Sequence, residues 1–209
     1  MANMKKISIL IADDHAIVRT GLTSLLSTKP GLEVLGEARN GEDAVAKALR
    51  LKPDLVIMDL VMPKKGGVDA IREISEKMPG CRILVLTTFA TSAEMSKALA
   101  NGAQSAIMKS ASNSELVAAI RATAEGKRVI SQEISRMIAE DPPVPEISGR
   151  QLQILESIAR GLTNREIAMQ FNISPDSVKT HITRVMGKIG AANRSEAAAI
   201  ALRKHLLKI

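Results

Sequence analysis

The chain has 209 residues, 45% of them hydrophobic and 24% charged, a balance that suits a folded globular protein and is too apolar for a disordered one. Its length fits two small domains better than one, because domains settle at about 100 to 150 residues. A formal net charge of +7 permits an acidic polymer as partner, while having only two aromatic residues, Phe89 and Phe171, excludes the ring platforms on which single-stranded nucleic acid stacks.

No apolar run approaches the roughly 18 residues of a membrane-spanning helix, and Met1 to Ser8 has two lysines but no cleavage site behind a long apolar stretch. A cytoplasmic chain with no membrane partner is expected. The single cysteine, Cys81, can form neither an internal disulfide nor a zinc cluster, which agrees with a reducing compartment. Charge is uneven along the chain. Residues 1–130 carry 18 basic and 14 acidic side chains, 131–145 carry 1 and 3, and 146–209 carry 10 and 5, so positive charge is densest in the last third.

In chain order, Ile7 to Ala12, Leu32 to Ala38, Leu55 to Asp59, Arg82 to Thr87 and Ser105 to Met108 are predicted strands, several of them continuous apolar runs of the kind buried on both faces. Helical spacing separates them: Ile17, Leu22, Leu25 and Leu26, then Ala44, Val45, Ala48 and Leu49, then Val68, Ile71 and Ile74, then Met95 to Ala100, with Leu116 to Ala124 closing the series. This alternation implies right-handed crossovers, hence an α/β, flavodoxin-like, doubly wound domain with a five-stranded parallel sheet over residues 1–127. Residues 128–146 read as a linker, since Pro142, Pro143 and Pro145 can continue neither helix nor sheet, with room for a short helix at Gln132 to Ala139. Residues 147–209 show no strand pattern and read as an all-α unit of four short helices.

Asp13 and Asp14 fall at the end of the first predicted strand, Asp59 at the end of the third, Thr87 at the end of the fourth and Lys109 just after the fifth. Ligands of open parallel sheets bind outside the carboxyl ends of the strands, so these residues converge in one crevice. Three carboxylates there repel one another without a cation, and Mg²⁺, which takes oxygen ligands, fits. Taken singly, each has a plainer reading, the two aspartates as helix caps and Lys109 as a solvated end residue; taken together they do not.

Ala12-Asp13-Asp14-His15, Met58-Asp59-Leu60-Val61-Met62-Pro63, Leu86-Thr87 and Met108-Lys109, with Gly67 at its spacing, resemble the receiver domain of bacterial response regulators over about residues 5–127. The resemblance implies that Asp59 accepts a phosphoryl group from a phosphohistidine on a sensor histidine kinase. It also implies that Asp13, Asp14, Asp59 and the backbone carbonyl of Val61 hold Mg²⁺, and that Thr87 and Lys109 bind phosphoryl oxygens. His15 is read as a helix-start residue rather than a catalyst. At Ala106 the chain departs from the receivers' usual Tyr or Phe, whose ring couples the threonine to the outer face of the sheet; Phe89 is an alternative coupling group.

In the last third, Thr163 and Glu166 form a predicted capping box, and Ser174 caps a helix that opens on Pro175. On that helix Val178, Ile182, Val185 and Ile189 make the buried stripe, leaving Lys179, Thr180, Thr183, Arg184 and Lys188 outward. Three cations and two threonines without an acid suit a major groove lined by phosphates, although on charge alone a solvated face is an equal reading. Gly161 to Ala168, Ser177 to Ile182, Lys188 to Gly190 and Asn193-Arg194 resemble the LuxR-type helix-turn-helix, and receiver plus this domain is the architecture of NarL/FixJ response regulators. By that resemblance Lys179, Thr180 and Thr183 face double-stranded DNA, Arg184 shares their face, and Asn164, Lys188 and Arg194 contact phosphates. His181 matches a packing position, and Gln151 stands where the family has a glutamate, without its ion-pairing charge.

The expected function is a two-component transcription regulator, a homodimer when phosphorylated or bound to DNA, which catalyses only its own aspartyl phosphorylation and dephosphorylation. The alternatives are a regulator that binds DNA or a protein without phosphorylation, and a phosphatase with an aspartate nucleophile. The latter class normally has a second acid two residues on, where this chain has Val61.

Overall fold

The computed structural model describes residues 6–88, 90–142, 147–204 and 206–207. The chain divides into two compact units, Met1–Pro143 and Val144–Ile209.

In the first unit β1 (Ile7–Ala12), α1 (Ala16–Ser27), β2 (Leu32–Ala38), α2 (Gly41–Leu51), β3 (Leu55–Met58), α3 (Gly67–Lys77), β4 (Arg82–Thr87), α4 (Ser92–Ala100), β5 (Ser105–Met108) and α5 (Asn113–Ala124) alternate. All strand pairs are parallel, in the order β2-β1-β3-β4-β5. The two-residue side-chain period sorts the apolar runs into two cores. Leu10, Val56, Met58, Val85 and Ala106 lie in the core that includes residues of α2, α3 and α4. Ile9, Ile57, Leu84 and Ile107 lie in the one that includes residues of α1 and α5. The third strand, expected to reach Asp59, stops at Met58, so Asp59 is the first residue beyond it, where its carboxylate can leave the sheet.

Much of the stretch 128–146, expected as a linker, is folded onto this unit. Ala106 donates its N–H to the carbonyl of Val129 at 2.8 Å and accepts from Ser131 N at 3.0 Å, so residues 129–131 cover the open edge of β5. The helix α6 (Gln132–Glu140) follows. Its Ile134 is fully buried in the core that contains Met95, Ala98 and Ala106. The physical cause is an apolar stripe, Ile130, Ile134, Met137 and Ile138, at helical spacing, which finds an uncovered strip between α4 and β5.

The second unit contains α7 (Gly149–Ala159), α8 (Asn164–Phe171), α9 (Pro175–Ile189) and α10 (Arg194–Arg203). Reciprocal caps set their starts: Ser148 with Gln151 on α7 and Thr163 with Glu166 on α8, while Ser174 caps α9 ahead of Pro175. Asn172 and Gly190 end α8 and α9 in the left-handed conformation. Among the described residues no helix is long and apolar enough to cross a membrane.

Candidate functional site: an acidic crevice and a basic helix face

The strand register aligns Met58 with Val85 and Thr87 with Met108, which leaves Asp59, Thr87 and Lys109 at one end of the sheet. Asp13, in the turn after β1, joins them. Asp13, Asp59 and Thr87 are 2%, 4% and 0% exposed, so the charges stand in a largely dry crevice. Lys109 lies 2.6 Å from Asp59 Oδ2 and 2.6 Å from Asp13 Oδ2, and its backbone N–H donates to the carbonyl of Thr87 at 2.8 Å. Burial opposes charge on this ammonium, but the hydrogen bonds to the two aspartates outweigh it and hold its pKa above that of an ordinary lysine.

Asp13, Asp14, His15 and Asp59 each place one ligand atom within 4.8 Å of all the others, a spacing that one cation can satisfy. Val61 donates its N–H to Asp59 Oδ1 at 3.3 Å, and its side chain points outward, 57% exposed. His15 starts α1 as expected, its N–H donating to Asp13 Oδ1 at 2.9 Å and its Nδ1 standing 2.7 Å from Asp14 Oδ1. Gly67 brings α3 against this loop. A Cβ there would lie 2.0 Å from the carbonyl oxygen of Asp59, so only glycine fits without moving that backbone.

Arg19 was not singled out from the sequence, yet it organises the acidic turn. It donates to the carbonyls of Asp13 at 2.8 Å and Asp14 at 3.1 Å, and pairs with Glu37 at 3.1 Å. Its place one helical turn beyond His15, with a carboxylate on β2 opposite, was the available signal. Phe89, the alternative coupling group, lies outside the described residues.

On α9 the division of faces is as expected except at Lys188: Val178, Ile182, Val185 and Ile189 are buried, Lys179, Thr180, Thr183 and Arg184 are exposed, and Lys188, expected outward, is half-buried because it turns to Gln151. Thr180 donates its hydroxyl to the carbonyl of Asp176 at 3.0 Å. Asn164, Lys188 and Arg194 are half-buried and engaged inside the unit. Arg194 donates to Asn164 Oδ1 at 3.1 Å and to the carbonyl of Leu162, fastening α10 to the α7–α8 turn. Lys188 donates to Gln151 Oε1 at 3.0 Å, the same oxygen that accepts from Ser148 N at 3.1 Å. A neutral glutamine therefore still anchors α7, through its carbonyl oxygen. Arg150, 4.3 Å above the Phe171 ring, ties α7 to α8 by a cation–π contact that the sequence reading had missed.

A sheet with an acidic crevice at its carboxyl edge, followed by a helical unit with a basic helix face, defines a receiver joined to a helix-turn-helix module. Residues 9–121 match the family model described as the response regulator receiver domain, and residues 145–201 match that of bacterial regulatory proteins of the luxR family. The chain belongs to the bacterial two-component response regulators with a LuxR-type DNA-binding domain, and it is a phosphorylatable transcription regulator. It is 37% identical to the response regulator protein VraR of Staphylococcus epidermidis over 207 residues, covering 97% of this chain and 99% of that protein. Among solved structures it resembles response regulator ChrA of a heme-sensing two-component system (32% identity, TM-score 0.57, 97% of this chain and 99% of that one). It also resembles the response regulator RcsB in complex with DNA (25% identity, TM-score 0.66, 95% of this chain and 98% of that one).

Proposed function

We propose that Asp59 is the phosphoacceptor and that its phosphorylation controls binding of the α9 face to double-stranded DNA. The observation that carries the reading is the placement of Lys109 on both Asp13 and Asp59 at 2.6 Å. That ammonium orients the Asp59 carboxylate in a largely dry crevice and stands where a phosphoryl oxygen would otherwise lack a counter-charge. In the transfer, a carboxylate oxygen of Asp59 attacks phosphorus as the bond to the imidazole nitrogen of a sensor kinase breaks. The new phosphoryl oxygens then draw Lys109 and the hydroxyl of Thr87.

The donor set of Asp13, Asp14, Asp59 and the Val61 carbonyl is all oxygen, which fits Mg²⁺. When bound, that ion neutralises phosphoryl charge. The chain's own slow hydrolysis of the acyl phosphate uses the same residues.

On DNA, Thr180 and Thr183 meet base edges, and Lys179 and Arg184 meet phosphates. Asn164, whose bond from Arg194 uses its acceptor Oδ1 rather than its amide N–H, contributes a phosphate contact, and Lys188 and Arg194 contribute theirs while bonded inside the unit. One short reading helix per chain calls for a homodimer on two half-sites about one helical turn apart or a multiple of it. RcsB dimers bound to DNA are a solved example in a relative. The setting is the bacterial cytoplasm.

Incubation with labelled acetyl phosphate and Mg²⁺ tests the acceptor. Label should enter the wild type and be absent from Asp59→Asn, which is nearly isosteric but not nucleophilic. Label retained in that variant would place the acceptor elsewhere.

A further inference from the structure

We propose that Ser92 relays the state of the phosphoacceptor site to α6, and through α6 to the chain that leads into the DNA-binding unit. The proposal rests on the assignment of Asp59 and Thr87 above. Attachments at its start, middle and end hold the 129–141 segment to the receiver unit, with Met137 and Ile138 also packed on the core. At its start, the two backbone hydrogen bonds of Ala106 fix residues 129–131 to the edge of β5. At its middle, Ile134 is fully buried beside Met95 and Ala98 of α4. At its end, Ser92, itself 3% exposed, donates its hydroxyl to the carbonyl of Asp141.

The third attachment is the one joined to the site. Ser92 is the first residue of α4, and Thr87 is the last residue of β4, so only residues 88–91 separate the tie from the phosphoryl-binding hydroxyl. Thr91 is locked to the first turn of α4 through a capping box with Glu94, so a displacement at Thr91 carries the α4 N-terminus with it. On the other side, Asp141 caps α6, its N–H donating to the carbonyl of Met137, and the next residue is Pro142. Drawing Thr87 toward a phosphoryl oxygen therefore pulls on Ser92 and loosens the end of α6.

Clefts on both flanks leave room for the end of α6 to move. A cleft of 710 Å³ separates part of it from Met108, Ala111 and Glu115, and one of 540 Å³ lies between Ile138 and Ser96, Leu99 and Ile130. The helix is thus held by Ile134 at its centre, by the partly buried Ile130, Met137 and Ile138 beside it and by its two ends, with clefts along both flanks. Ala106 carries no ring to move, and its backbone is committed to residues 129 and 131, which directs the signal through α4. An equilibrium shifts only by the difference in interaction between its two states, and here that difference is a single hydrogen bond, roughly a fivefold effect.

Hydrogen exchange on the full chain with Mg²⁺, with and without beryllofluoride, tests the relay in the wild type, Ser92→Ala and Ser92→Thr. Beryllofluoride should protect residues 59–66 in all three proteins, which reports occupancy of the site itself. In the wild type it should also speed exchange across 137–141 about fivefold. Ser92→Ala should show that faster exchange without the analogue and gain little more from it, with β1 and β3 as well protected as in the wild type. Ser92→Thr, which keeps the hydroxyl, should behave as the wild type. Unchanged exchange at 137–141 while 59–66 is protected, or an α6 in Ser92→Ala indistinguishable from the wild type, overturns the relay. Absence of protection at 59–66 in every protein overturns the phosphoacceptor assignment and the relay with it.

Discussion

Replacing Ile134 by alanine asks whether α6 is part of the receiver core or a spacer. The side chain is fully buried, in one cluster with Val85, Met95, Ala98 and Ala106. Removing its three outer carbons forfeits their transfer energy and leaves a hole, because the α4 helix and the sheet edge around it are fixed by other contacts. Core Ile→Ala changes cost about 2–5 kcal/mol, and the open clefts on both sides of α6 allow some collapse, which places this one near 3 kcal/mol. For a unit of this size about 3 kcal/mol corresponds to a fall of roughly 10 °C in the midpoint. Calorimetry on the full chain should show the receiver transition lowered by that amount, the helical unit unmoved, and Arg136→Ala, an exposed position on the same helix, within about 0.5 kcal/mol of the wild type. A receiver transition unchanged in Ile134→Ala would refute the assignment of α6 to the core.

Gly67→Ala should abolish phosphorylation or unfold the β3–α3 loop, since its Cβ would stand 2.0 Å from the Asp59 carbonyl; labelling with acetyl phosphate beside a melting curve separates these from a tolerated change. Lys179→Ala should weaken binding to all DNA sequences and flatten the dependence of log affinity on log salt by about 0.9, the value for one lost phosphate contact. Arg194→Ala should instead destabilise the helical unit, through loss of its bonds to Asn164 and Leu162, as unfolding and salt titrations would show. The Cys81 thiol is pushed up to about 11 by burial and by the nearby charge of Asp54. Its reactive thiolate is therefore scarce at pH 8, and iodoacetamide should label the native chain there far more slowly than the unfolded one.

Most strands were legible because buried parallel strands are short, nearly continuous apolar runs, as in Ile7–Ala12, Arg82–Thr87 and Ser105–Met108, while the edge strand Leu32–Ala38 mixes apolar residues with Glu33 and Glu37. The crevice followed from them, since a residue at a strand's carboxyl end is placed by the sheet alone. The role of α6 was hidden by its neighbours. Pro142, Pro143 and Pro145 announce a linker, and nothing in the stripe of Ile130, Ile134, Met137 and Ile138 states which surface it will meet. Side-chain partners were the least legible. Lys188 and Arg194 read as cations on a DNA-facing unit, and their engagement with Gln151, Asn164 and Leu162 arises only when helices distant in sequence come together. Gln151 shows the same gap, since the lost charge was visible in the sequence but the carbonyl oxygen that serves both Ser148 and Lys188 was not.

The most direct test of the central claim is the affinity of the full chain for one DNA site, selected with phosphorylated protein and measured at fixed salt with and without acetyl phosphate and Mg²⁺. Phosphorylation should tighten binding of the wild type at least tenfold, about 1.4 kcal/mol, and leave Asp59→Asn unchanged. Equal affinity of the phosphorylated and unphosphorylated wild type, or the same gain in Asp59→Asn, would contradict a switch operated through Asp59.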